Sequence, residues 1–388
     1  MKYTVREEKT PAYLQLYRQI RDDIVGGVYP FHGRLPSERT LAGEAGVSVI
    51  TVEHTYALLC DEGYAESRAR SGYFVVFRQA DGFASAIPPV QRAVVAAADA
   101  KAPLAAPSRP PTAGAPFSSA VPSAAEGVPA FPASVLRRTM RRVLSDAGNA
   151  VWEKSPNAGL PALRDAIRRY LRRNRGMEVS CDQIIVGAGA EYLYGLIVQL
   201  FGRERVYAVE TPSYEVIGKI YRASGVPCEF LPLSDDGIDP AALSASRADI
   251  LHTTPYRSFP SGVTASASRR HDYIRWAAQG DRYIIESDYG SEFAVSSQPL
   301  ESLFALSPRE NVVYLNTFSR TLSPSMRFAY MVLPSALSAR FAEKLGFYSC
   351  TVPTFEQYVL SALLDGGDFE RHINRVRRYL RARSTPKK

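Results

Sequence analysis

Cysteine is sparse in this 388-residue chain, and its spacing excludes the chemistry it most often signals. Cys60, Cys181, Cys228 and Cys350 are widely separated and fit neither a metal-site spacing nor a disulfide framework, so they read as reduced, buried thiols. No metal site is expected. Long apolar runs are missing as well: no stretch approaches the roughly 18 apolar residues that cross a bilayer. The opening MKYTVREEKT lacks the apolar core of a secretory leader, which points to the cytoplasm. Internal repeats are absent too. What is there is an ordinary globular composition, 46% hydrophobic and 22% charged, in a chain long enough for two cores. The formal net charge of +8 permits a polyanionic partner without requiring one.

A break in composition separates the two cores. From Gln79 to about Gly114 the chain turns to Ala, Pro and Ser (AVVAAADAKAPLAAPSRPPTAGAP) with little periodicity, which reads as a flexible linker at 79–114 between domains at 1–78 and 115–388. In the first domain Tyr13, Leu16, Tyr17, Ile20 and Ile24 form one apolar helical stripe, ended by Gly26-Gly27. Ser37 is placed to cap a short second helix carrying Leu41, Ala42 and Ala45, which Gly46 stops. Ser48 can cap a third helix with Val52, Tyr56 and Leu59 inward, leaving Ile50, Thr51 and His54 outward near its start. Such an outward face is what a recognition helix presents to the major groove of DNA. Tyr64 to Arg68 and Tyr73 to Phe77 are β-prone runs about Ala69-Arg70-Ser71-Gly72. Together they make a hairpin with Arg68 and Arg70 at its tip, a wing placed to reach phosphates or a minor groove.

The strings YLQLYRQIRDDIVGGVY, GRLPSERTLAGEAGVSVITVEHTYALLCDEGY and SGYFV resemble the DNA-binding domain of the GntR family of bacterial regulators over residues 11 to 78. LPSER followed by the spaced VS..TV is the specific part. The resemblance implies double-stranded DNA as partner, contacted by Arg39, by Ser48 and Thr51 at the recognition helix, and by Gly72 with the wing arginines Arg68 and Arg70. His54 shares the outward face. Val49 and Glu53 stand where the family usually has Arg and often another basic residue, which removes positive charge from that helix.

In the second domain, strand-like runs at 183–186, 206–209, 228–233, 250–252, 283–285, 312–315 and 329–333 alternate with helical patterns. They predict an α/β fold with a mostly parallel sheet and a ligand at the strands' carboxyl ends. Gly187-Ala-Gly189-Ala190-Glu191 joins a strand to a helix and offers free N–H groups to an anion. Four loops follow: ETPSY from Glu210, TPYRSFPSG from Thr254, ESDYGSEF from Glu286 and NTFSRTLSPSMR from Asn316. In this order, behind such an N-terminal domain, they resemble the fold-type-I aminotransferase domain of the MocR subgroup of GntR regulators.

That resemblance implies a pyridoxal phosphate site and a head-to-tail homodimer. Tyr214 would stack on the cofactor ring and Tyr289 would sit beside its phenolic oxygen. Ala188, Gly189, Thr317, Ser319 and Arg327 would cradle the phosphate. Three departures follow. The family's TFSK reads Thr317-Phe318-Ser319-Arg320 here, and a guanidinium is a poor nucleophile, so Arg320 replaces the Schiff-base lysine and any cofactor contact is noncovalent. ESDYGSEF puts Ser287 where the family's EDDYDSEF has the aspartate that pairs with the ring nitrogen, and Asp288 is expected to point elsewhere. Relatives also run on past the equivalent of Lys388, so the small C-terminal subdomain is expected to be truncated. The resulting expectation is a transcription regulator with no catalytic residue, whose C-terminal domain dimerises and senses pyridoxal phosphate or another metabolite. The alternatives are an aminotransferase with a DNA-binding module and a truncated chain without function.

Overall fold

The computed structural model describes residues 3–6, 10–68, 71–78, 128–293, 301–323 and 325–384. The linker read at 79–114 and Arg70 of the wing lie outside the described residues.

The N-terminal domain follows its caps. Helix α1 (Ala12–Val25) buries Leu16, Tyr17, Ile20 and Ile24 and ends at Gly26. In α2 (Glu38–Ala45) the Ser37 hydroxyl accepts the Thr40 N–H, and Gly46, at φ +66°, turns the chain out of the helix. Only Val47 and Ser48 separate Gly46 from α3 (Val49–Asp61), where Ser48 repeats the cap on Thr51. Val52, Thr55, Tyr56, Leu58 and Leu59 of α3 face the core. Strands β1 (Ala65–Arg68) and β2 (Gly72–Val75) pair antiparallel as the wing.

Among the described residues the first helices of the larger domain are α4 (Ala133–Ala147) and α5 (Pro161–Arg175). It then alternates through β3 (Ile184–Gly187), α6 (Ala190–Phe201), β4 (Tyr207–Thr211), α7 (Glu215–Ala223), β5 (Cys228–Ser234), β6 (Gly237–Ile238), α8 (Pro240–Ala245) and β7 (Ile250–Thr253). After these come α9 (Ala267–Ala277), β8 (Tyr283–Asp288), α10 (Leu303–Leu306), β9 (Val312–Thr317), β10 (Ala329–Val332), α11 (Ser335–Leu345), α12 (Thr354–Asp365) and α13 (Asp368–Ser384). The strands form one sheet in the order β3-β10-β9-β8-β7-β4-β5-β6. Pairs β4–β5, β4–β7, β7–β8 and β8–β9 are parallel, while β10 opposes both of its neighbours and β6 turns back on β5. Each run singled out as strand-like is a strand. The two-residue β6 is too short to leave a period in the sequence.

Every residue of β3, β7 and β10 is buried, as in a sheet covered on both faces. Ile185, Val313, Leu315 and Met331 pack under α6, α7 and α11. Val186, Tyr314, Tyr330 and Val332 pack under α5 and α12. The parallel strands therefore bring the loops after Thr211, Thr253, Asp288 and Thr317 to one edge, where a ligand of such a sheet binds.

The two domains touch. Ala267 at the start of α9 is fully buried in the apolar core of the winged helix. The Tyr64 hydroxyl lies 3.2 Å from His271 Nε2, and the Arg78 N–H donates to the Ser268 hydroxyl at 2.8 Å. No local period in the sequence announces this contact.

Candidate DNA interface and ligand site

At the start of α3 the Ser48 hydroxyl accepts the Thr51 N–H at 3.1 Å and lies 2.9 Å from the Thr51 hydroxyl, so both side chains are organised by the cap. Ile50 beside them is 63% exposed and Val49 42%, which gives the outward face an apolar lip. His54 is exposed one turn on, its ring edge against Tyr13. Arg39 is exposed on α2. In the wing, Arg68 donates its Nε–H to Glu66 Oε1 at 2.6 Å and lies 4.5 Å from the Phe74 ring centre, so a carboxylate already offsets part of its charge. Gly72, at φ +99°, pairs with Arg68 across the hairpin, and a Cβ there would stand 3.4 Å from the Arg34 guanidinium. Arg34 was not singled out in the sequence, although it stands in the string GRLPSER. The fold puts it beside Gly72, and with Arg68 it flanks the turn end of the wing.

The second group gathers where β3 meets α6. Gly189 adopts φ +95°, and a Cβ added to it would lie 2.7 Å from Arg327 Nη2. The backbone angle favours glycine, and its bare Cα lets the guanidinium come this close. Arg327 donates to Glu191 Oε2 at 3.2 Å, and the Tyr214 hydroxyl donates to Glu191 Oε1 at 3.5 Å. Gly189, Arg327, Tyr214 and Glu191 thus converge at the N-terminus of α6. The Ala188 N–H is already used, donating to the Thr351 hydroxyl at 2.9 Å. Thr317 and Ser319 spend their hydroxyls on the loop that carries Arg327: Thr317 donates to the Phe328 carbonyl at 2.9 Å and Ser319 to that of Met326 at 3.2 Å. They hold the loop's shape more than they line the cradle.

Arg320 folds back onto the loop after β8, donating to the Tyr289 carbonyl at 2.8 Å, with its guanidinium 5.2 Å from the Tyr289 ring centre and 5.9 Å from that of Phe293. Ser287 begins a buried chain: its hydroxyl lies 2.7 Å from His252 Nε2, and His252 Nδ1 lies 2.6 Å from the Tyr221 hydroxyl. Burial holds His252 down to about 3, so its ring is neutral at physiological pH. Asp288 faces the opposite side of β8. There it pairs with Arg175 at 2.8 Å and accepts from the Tyr314 and Ser291 hydroxyls at 2.7 and 2.8 Å. Two lysines stand apart: Lys219 pairs with Glu215 on α7, and Lys344 on α11 reaches the Leu200 carbonyl.

The residues present fit the phosphate and the ring of pyridoxal phosphate: a glycine pressed against an arginine at a helix N-terminus, with a tyrosine beside it. They supply no amine at Arg320 and no carboxylate at Ser287.

A winged helix set against an α/β domain of this topology defines a class: DNA-binding proteins carrying an aminotransferase-like domain. Residues 12–75 match the family described as bacterial regulatory proteins, gntR family. The uncharacterized HTH-type transcriptional regulator YdeL of Bacillus subtilis is 31% identical over 371 residues, covering 96% of this chain and 77% of YdeL. The probable rhizopine catabolism regulatory protein MocR of Rhizobium meliloti is 28% identical over 374 residues, 96% of this chain and 76% of its own. Pyrococcus horikoshii kynurenine aminotransferase superposes with a TM-score of 0.59 at 25% identity, covering 67% of this chain and 68% of that one. The chain belongs to the MocR-type transcriptional regulators of the GntR family. Among the described residues no helix is long and apolar enough to cross a membrane.

Proposed function

We propose that this regulator works as a homodimer whose ligand domain, 115–388, binds pyridoxal phosphate or a like phosphorylated pyridine noncovalently and passes its state to the DNA-binding domain, 1–78. The observation that carries the reading is the close approach of the Arg327 guanidinium to Gly189 at the N-terminus of α6, which sets a cation beside a helix start that attracts anions. Tyr214 stands beside it for a ring. When bound, pyridoxal phosphate would bring an electrophilic aldehyde and an aromatic ring nitrogen. Arg320, held by the Tyr289 carbonyl, offers that aldehyde no nucleophile. Ser287, backed by a neutral His252, offers the ring nitrogen a hydroxyl without charge. Leu144 and Trp152, exposed at the end of α4 and just after it, give apolar surface for a second copy.

Titration of the full-length protein with pyridoxal phosphate, followed by dialysis and by borohydride reduction, tests this. The expected outcome is saturable binding that dialysis reverses, no covalent adduct after reduction, and a loss of affinity of at least tenfold in Arg327→Met, about 1.4 kcal/mol. Selecting bound fragments from random DNA with and without the ligand then reads operator and response together. A borohydride-stable adduct, or transamination of any amino acid, would replace the reading with an enzyme.

A further inference from the structure

The domains meet through a buried ionic contact that neither the DNA face nor the ligand cradle uses. Arg270 on α9 is among the largest fully buried side chains, and its carboxylate partner belongs to the other domain. Its Nη1 donates to Glu62 Oε2 at 3.1 Å and its Nη2 to the Glu62 carbonyl at 2.6 Å. Both side chains of the pair are 2% exposed. The Glu62 carboxylate also accepts the Glu301 N–H, at 2.9 and 3.0 Å. The Glu301 side chain returns to the winged helix, accepting from the Tyr17 hydroxyl at 3.1 Å and from Arg21 Nη1 at 2.5 Å.

Two features distinguish this contact from a surface ion pair. First, every group in the Glu62–Arg270 pair is desolvated, so removing either partner leaves the other as an uncompensated buried charge at the domain contact, whereas a member of an exposed pair is solvated without its partner. Second, Glu62 is the C-terminal cap of α3, so the grip falls on the recognition helix itself, at the end away from Ile50, Thr51 and His54. Ala267, seated in the core of the winged helix, adds an apolar contact less than two turns away on α9.

We infer that Arg270 is a positioning residue for DNA recognition: through Glu62 it fixes α3 to the body of the ligand domain, so that the two heads of a dimer meet half-sites at one spacing. The dimer in this statement rests on the function proposed above. A head hung on a loose linker accepts many spacings, because its effective concentration falls only gradually with distance. A head fixed to the body accepts few, since equivalent major-groove faces recur only every 10–10.5 base pairs or so.

The test uses the full-length protein and DNA carrying two half-sites whose separation is varied one base pair at a time. The wild type is expected to have a sharp optimum, with affinity falling about tenfold when the sites are moved roughly half a helical turn. Arg270→Met should keep its affinity for a single half-site while its spacing profile flattens to within about threefold. Glu62→Gln, nearly the same shape, should flatten it in the same direction, which guards against a methionine variant that simply misfolds. A sharp, unshifted profile in both variants overturns the inference, and so does a flat profile in the wild type. Anisotropy decay of a dye on the winged helix reads docking without reference to dimerisation. One slow component in the wild type and a new fast one in Arg270→Met support the inference; a fast component already in the wild type overturns it. A protein that sediments as a monomer yet shows the slow component overturns the dimeric reading and leaves the docking standing.

Discussion

Arg320 lies along the loop that follows β8, tied to the Tyr289 carbonyl and set over two aromatic rings. A lysine there would lose the planar contact over the rings but regain an amine that can shed its proton, the property a guanidinium lacks. Amino transfer asks for more than attachment, because the ring must draw electrons and does so best when its nitrogen is held protonated by a negative charge. Ser287 has no such charge to give, and the imidazole behind it is neutral because burial depresses its pKa to about 3. Asp288, one residue on, is spent on Arg175 and Tyr314 across the sheet. Arg320→Lys is therefore expected to gain a borohydride-stable pyridoxal phosphate adduct, read by mass, and no turnover with any amino acid. Sustained amino transfer in that single variant would show that a neutral hydroxyl suffices at 287.

Helix α3 asks Ser48 to serve two purposes that substitutions can separate. Its hydroxyl accepts the Thr51 N–H, one of the donors that a helix start leaves without an intrahelical partner. Removing it in Ser48→Ala should lower stability by about 1 kcal/mol, seen as a shift of the urea midpoint. Ser48→Asp keeps the cap and favours the positive end of the helix dipole, so stability should be retained. The same carboxylate would face phosphates if position 48 approaches the DNA backbone, and gel-shift affinity should then fall at least tenfold. An aspartate variant that is stable and binds normally would remove Ser48 from the interface and leave it a cap alone. The caps of this domain were legible in the sequence because Ser37, Gly46 and Ser48 act within one turn of where they stand. Its docking was not: Glu62 and Arg270 are 208 positions apart, and nothing within a turn of either announces the other.

For the whole molecule, the sheet was readable because strands buried on both faces leave apolar runs, and their alternation with helices leaves few topologies. The chain from Ser287 through His252 to Tyr221 was not readable, since it joins three elements by proximity alone. Arg34 reaches the wing the same way, and that bears on how the formal charge of +8 is used. Net charge draws the protein toward DNA, but only cations that displace counterions from phosphate appear in the salt dependence. Arg34, Arg39 and Arg68 stand on the DNA-binding domain, and if each meets a phosphate with both heads of a dimer engaged they would make six contacts. Log affinity should then fall against log salt with a slope of roughly −5. Arg39→Ala removes one contact from each head and should flatten the slope by about 2, whereas a single engaged head would start near −3 and lose about 1. Glu53→Lys, on the exposed side of α3, should steepen it by a similar amount if that face meets phosphate. Titrations between about 50 and 200 mM salt measure these slopes directly. A slope unmoved by Arg39→Ala would place DNA on some other face of the winged helix.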